Sequence, residues 1–169
     1  MNDPINGEAD TDYLKLESQL CFPLYAATNL LQRLYRPLLQ PLGLTYSQYL
    51  VLLLLWDRQT LTVGALKECL HLDSGTITPL LKRMEKAGFV ERNRDPADER
   101  RVLISITSKS SSLRAQAAKI PLSLIENLEM EAAEGILLRD SAFGFVEKIS
   151  QALSRQATVA DADMSNLSD

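Results

Sequence analysis

The 169 residues suffice for one domain, or a small domain with helical extensions, and 46% hydrophobic with 24% charged residues suits a globular chain with a core. No basic n-region opens the chain and the apolar run Leu50–Trp56 is too short for a bilayer, which excludes a secreted or membrane-spanning class and leaves a cytosolic one. Net charge is −4, which excludes a general polycation, so affinity for nucleic acid would have to come from where the charges sit.

Residues 1–12 are polar and acidic and read as a disordered tail, as do residues 158–169. From Tyr13 to about Leu39 the positions Leu20, Leu24, Ala27, Leu30, Leu31, Leu34 and Leu38 recur at helical spacing. Pro23 either starts that helix or kinks it, and Pro37, Pro41 and Gly43 finish it. Thr45 or Ser47 can cap a second helix running to about Arg58 and buried on most sides. A short helix fits Val63–Leu70, followed by the turn His71-Leu72-Asp73-Ser74-Gly75 and a helix from about Gly75 to Ala87, with Gly88 at its end. Phe89–Arg92 and Val102–Ile106 are short β-type runs around a polar stretch, Asn93–Arg101, and together predict a hairpin with a long tip. Two further helices are expected at about 108–131 and 135–156.

The order predicts a mainly α chain with a small β-hairpin wing: a winged helix-turn-helix over 45–106 inside one domain, 13–157. The stretches 13–44 and 107–157 would supply a helical dimerisation layer.

In the helix from Gly75, Ile77, Leu80, Leu81, Met84 and Gly88 share one face. Gly75, Pro79, Lys82, Arg83 and Lys86 share the opposite one, with Thr76 and Thr78 at its start. Hydroxyls followed by cations suit a helix entering a major groove, although a solvated amphipathic helix has the same pattern. The hairpin tilts the balance. Arg92, Arg94, Arg100 and Arg101 are mixed there with Asp95, Asp98 and Glu99, as in a wing whose carboxylate orients one guanidinium for a narrow minor groove.

The run Leu72-Asp73-Ser74-Gly75-Thr76-Ile77-Thr78-Pro79-Leu80-Leu81-Lys82-Arg83-Met84-Glu85, with Asp98-Glu99-Arg100, closely resembles the MarR family of repressors. Its DSGT-x-TPLLKRME core resembles the branch that senses organic hydroperoxides. The resemblance covers about Leu16 to Ile120 and, less distinctly, the C-terminal helices. It implies a homodimer on a pseudo-palindromic operator near its own or a peroxidase-type gene, with recognition helices in major grooves and wings in minor grooves. The DNA-binding candidates are Ser74, Thr76, Thr78, Pro79, Lys82, Arg83, Lys86, Arg94, Asp98, Arg100 and Arg101.

Leu20-Cys21-Phe22-Pro23-Leu24-Tyr25 looks like the sensor segment of that branch, which places tyrosines 14 and 25 positions after its reactive cysteine; here these are Tyr35 and Tyr46. A sensor sulfur must be a thiolate to attack a peroxide, and phenolic donors favour that charged form. Fourteen helical residues span roughly 21 Å, so Cys21 could meet Tyr35 and Tyr46 only across a dimer interface. Oxidation would then break those hydrogen bonds and change the spacing of the two reading heads. A lone cysteine with nearby tyrosines is otherwise a packing pattern.

Some relatives carry a second, resolving cysteine about a hundred residues later, and 120–135 contains none. Cys69 is expected in the core, and an external low-molecular-weight thiol would complete the switch. His71 fits a turn; no metal spacing and no cofactor motif is found. Tyr49 and Trp56 read as core or as the wall of a pocket for the peroxide's organic group, and Tyr25 as a flank of the thiol or packing. Three other functions compete: a MarR-type repressor released by a small phenolic ligand, a thiol peroxidase, and a helical dimer without a DNA role. The missing resolving cysteine opposes the peroxidase, and the expectation is not an enzyme.

Overall fold

The computed structural model describes the backbone of residues 13–166 and the side chains through 159. The expected tail 1–12 lies outside the described residues. After a 3-10 turn at Leu16–Ser18, helix α1 runs Cys21–Leu39, so Pro23 falls in a first turn, where its missing N–H costs nothing. Pro37 sits inside the last turn, and Gly43, in the left-handed region at φ 67°, ends the 3-10 turn that follows.

Helix α2, Tyr46–Arg58, is started by Thr45 rather than Ser47: the Gln48 amide donates to Thr45 Oγ1, and the Thr45 amide to Gln48 Oε1 at 2.8 Å. Strand β1 (Thr60–Thr62) leads into α3 (Val63–Cys69), and Thr62 Oγ1 caps that helix. Helix α4 is Ser74–Lys86, with Asp73 as its cap and Gly88 at φ 74° beyond its end.

The wing differs from expectation. Strands β2 (Val90–Asp95) and β3 (Asp98–Ile106) pair antiparallel out to Asp95 opposite Asp98, so the tip is only Pro96-Ala97. Asp95 Oδ1 closes it by accepting the Ala97 amide at 3.0 Å. Strand β3 is central, with β1 on its other edge.

Helix 108–131 is likewise corrected. It is two helices, α5 (Ser108–Ala117) and α6 (Ile120–Asn127), because Pro121 cannot donate back to Ala117. The last helix, α7, runs Ala132–Asn166, well past the expected end near 156. The stretch from 158 to 166 is therefore helical rather than a tail, in keeping with its freedom from Gly and Pro. The described residues form two compact units, one up to Leu124 and one from Ile125 onward.

The core of the first unit lies between α2, α4 and the sheet: Val51, Leu52, Leu55, Leu66, Ile77, Leu81, Met84 and Ile104 are all fully buried. Burial of α2 on most sides holds, with Tyr49 and Trp56 also inside. No single helix among the described residues is long and apolar enough to cross a membrane.

Candidate functional site

Asp73 organises the start of α4. Its Oδ1 accepts the Thr76 amide at 2.7 Å and its Oδ2 the Thr76 hydroxyl at 2.9 Å. The hydroxyl, then the amide, hold the Asp73 carboxyl below the ordinary carboxylate range. A Cβ on Gly75 would come within 3.1 Å of Asp73 Oδ1, so the glycine leaves room for the cap. Burial of Ile77, Leu80, Leu81 and Met84 turns Ser74, Gly75, Thr76, Pro79, Lys82, Arg83 and Lys86 outward, while Thr78 is half-buried.

On the wing, Arg100 donates from Nε to Asp98 Oδ1 at 3.0 Å and from its terminal nitrogen to Asp98 Oδ2 at 3.3 Å. That fork, with the Arg100 amide, holds the Asp98 carboxyl low. Arg101 lies 3.5 Å from the Asp95 carboxylate, and Arg92 ties the wing to α4 through Glu85 at 3.3 Å. Thr62, Gly64, Thr78, Arg92, Arg100 and Arg101 line a cleft of about 550 Å³ between α3, α4 and the wing. Arg94 and Glu99 are exposed.

Cys21 is the first residue of α1 and is exposed. Tyr35 and Tyr46 meet at 4.8 Å between ring centroids, and Tyr49 joins them 6.0 Å from Tyr35. Burial, then the neighbouring Tyr46 and Tyr49, pushes the Tyr35 phenol up to about 12; burial also raises Tyr46 and Tyr49. All three therefore stay protonated donors near neutral pH. A cleft of about 570 Å³ opens beside Tyr46, lined also by Gln32, Arg36, Gln40 and Thr45. Within one chain the fold joins the tyrosines to one another, while Cys21 starts the helix whose far half carries Tyr35.

A family profile described as "Transcriptional regulator SarA/Rot" matches residues 33–116. The chain is 45% identical to the organic hydroperoxide resistance transcriptional regulator of Bacillus subtilis (strain 168), over 83% of this chain and 95% of that protein. The solved structure of reduced AbfR bound to DNA is similar at 30% identity and TM-score 0.67, covering 83% of this chain and 98% of that one. MarR itself is similar at 25% identity and TM-score 0.63, over 76% and 95%. The chain belongs to the MarR family of transcriptional regulators.

The regulator is thus a winged-helix DNA-binding protein and not an enzyme, as expected from its sequence. Cys69 corrects an expectation: it is exposed at the end of α3, because Leu66 and the half-buried Leu70 take the inner face. Tyr25, for which two places were open, is 70% exposed. Tyr49 is in the core, as read, and its spacing from Tyr46 also puts it one turn along α2 beside the tyrosine pair, a contact the sequence reading did not draw. Arg92, named only with the other wing arginines, is half-buried on the wing cleft, and no sequence signal separates it from its neighbours.

Proposed function

We propose that the regulator is a cytoplasmic homodimeric repressor that leaves a pseudo-palindromic operator when an organic hydroperoxide oxidises Cys21. The Tyr35–Tyr46 pair carries this reading, because two phenols held protonated can donate to an anionic sulfur. Cys21 and Tyr35 are separated by roughly 21 Å of helix, so the donors serve the cysteine of a second copy. Exposed Leu20 just before α1, Leu24 and Leu30 of α1, and Leu137, Phe143 and Leu153 of α7, supply apolar surface for such a partner.

The thiolate attacks a peroxide oxygen, an S–O bond forms, the O–O bond breaks and the alkoxide takes a proton to leave as an alcohol. Sulfur is oxidised to sulfenate as the peroxide is reduced. A small external thiol can then condense with the sulfenic acid, releasing water and forming a mixed disulfide.

On DNA, Ser74, Thr76, Thr78, Pro79, Lys82, Arg83 and Lys86 would face the major groove. Arg94, Arg100 and Arg101 would approach the minor groove and its phosphates, with Asp98 fixing the pose of Arg100. Operator binding of Cys21→Ser with and without cumene hydroperoxide tests the reading. The serine variant should bind like the wild type and stay bound; release at wild-type peroxide concentrations would sink the sensor assignment.

One observation favours a second reading, release by a small phenolic ligand. Tyr49, Leu53, Trp56, Arg114, Ala117 and Pro121 line a cleft of about 220 Å³ between α2 and α5. Such a ligand would still release Cys21→Ser.

A further inference from the structure

A continuous set of contacts runs from the tyrosine pair to the base of the reading head. Tyr49, next to Tyr35, meets Trp56 edge-on at 6.3 Å between ring centroids, and both rings are buried. Trp56 Nε1 donates to the Ser110 carbonyl at 2.9 Å, joining the C-terminal half of α2 to the first turn of α5. That turn grips the junction between α4 and the wing. Ser110 is fully buried and its hydroxyl donates to the Phe89 carbonyl. Thr107 Oγ1 donates to the Gly88 carbonyl at 2.9 Å. Lys109 Nζ donates to the Ala87 carbonyl at 2.6 Å and lies 4.3 Å from the centre of the Phe89 ring. Three successive carbonyls at the exit of the recognition helix are thus held by one turn, and Trp56 holds that turn.

We propose that Trp56 is a positioning residue that couples the tyrosine cluster to the pose of α4 and the wing through Ser110. The proposal rests on the sensor reading above. Two physical facts carry it. A close-packed interior passes a ring displacement to its neighbour rather than absorbing it, so movement of Tyr35 or Tyr46 reaches Trp56 through Tyr49. A buried N–H and its carbonyl are costly to separate, so a displaced indole carries the Ser110 carbonyl with it. Apolar contact between α2 and α5 alone would let the helices slide; a directional hydrogen bond makes their motion common. The held carbonyls belong to the three residues just past α4, whose amides in turn close its last turn on the Arg83, Met84 and Glu85 carbonyls, so a shift of the α5 turn re-aims the helix end and the wing root together.

The test uses Trp56→Phe, which keeps a ring in the core and deletes the N–H, and Ser110→Ala, which deletes the hydroxyl. Affinity is measured for an operator duplex selected from a random pool by the reduced wild-type protein. Each protein is assayed reduced and after cumene hydroperoxide, with Cys21 oxidation followed by intact mass. The expectation for both variants is oxidation of Cys21 at the wild-type rate and a reduced-state Kd within about two-fold of wild type, but a ratio of oxidised to reduced Kd smaller by about ten-fold. A merely structural tryptophan would weaken both states in parallel and leave that ratio unchanged, and this result overturns the proposal. Should Trp56→Phe not fold, Ser110→Ala carries the same expectation alone. A wild-type protein that is oxidised at Cys21 yet stays bound overturns the sensor reading and the coupling together; normal wild-type release with an unchanged ratio in the variants overturns only the coupling.

Discussion

Asp98 grips the guanidinium of Arg100 through two N–H···O contacts of 3.0 and 3.3 Å, although the Arg100 side chain is 91% exposed. A pair this open contributes little to stability, so its worth lies in ordering a long side chain before it meets a ligand.

Asp98→Asn should therefore leave thermal stability almost unchanged and weaken operator binding by about two- to ten-fold, the cost of ordering one arginine on the DNA. Fluorescence anisotropy beside a thermal melt checks both halves. Equal binding by the variant would mean that Arg100 needs no preset pose.

The Asp73 cap predicts a pH dependence. The Thr76 hydroxyl and amide hold this carboxyl below its ordinary value of 3.8, so its stabilisation is present above that value and is lost as pH falls through the lower folded-state value. Melting curves on acidification should drop more steeply for the wild type than for Asp73→Asn, which keeps one acceptor and cannot titrate. Asp73→Ala, with no acceptor, should have a lower Tm than either at neutral pH.

The tyrosines predict an effect at the other end of the scale. The Tyr35 phenol stands at about 12 against an ordinary 10.0, so the stabilisation tied to its neutral form is intact below 10 and is lost as pH rises toward 12. Tyr35→Phe should flatten that alkaline loss in a denaturation series. The same variant, and Tyr46→Phe, should slow the reaction of the reduced protein with cumene hydroperoxide by roughly ten-fold, the scale of one hydrogen bond to a charged acceptor. Stopped-flow loss of free thiol in a Cys69→Ser background measures it.

The exposed cations of α4 predict a salt dependence. Lys82→Gln and Lys86→Gln should each lower the slope of log binding constant against log salt by about one, weakening all DNA sequences alike. Thr76→Val, by contrast, should act through the Asp73 cap, since its hydroxyl is already donated there.

The recognition helix was legible because three independent signals agree on it: the spacing of Ile77, Leu80, Leu81 and Met84, the Asp73 cap and Gly88 beyond the end. The wing was recognised but mis-sized. Its outer part pairs Arg94 with Val102 and Asp95 with Asp98 and leaves Glu99, Arg100 and Arg101 in a register shift between them; Arg94, Glu99, Arg100 and Arg101 are all exposed, so no alternation of apolar residues marks this part as strand. Pro121 marks the break after α5, a signal that the single helix expected over about 108–131 left out. The resemblance singled out Tyr35 and Tyr46 by their spacing after Cys21, whereas their contact with each other, the third ring of Tyr49 and the indole behind it are a matter of three-dimensional packing. Cys69 was misplaced because a single residue near a helix end has no periodicity to decide its face.

That outward-facing Cys69 bears on how the chemistry of Cys21 is to be understood. Both sulfurs are open to solvent, one at the start of α1 and one at the edge of the reading head. Reach alone cannot choose between them. An oxidant that marks one sulfur per chain is therefore reporting on selectivity, and the count of modified thiols becomes a measure of how far the phenols set one cysteine apart from the other.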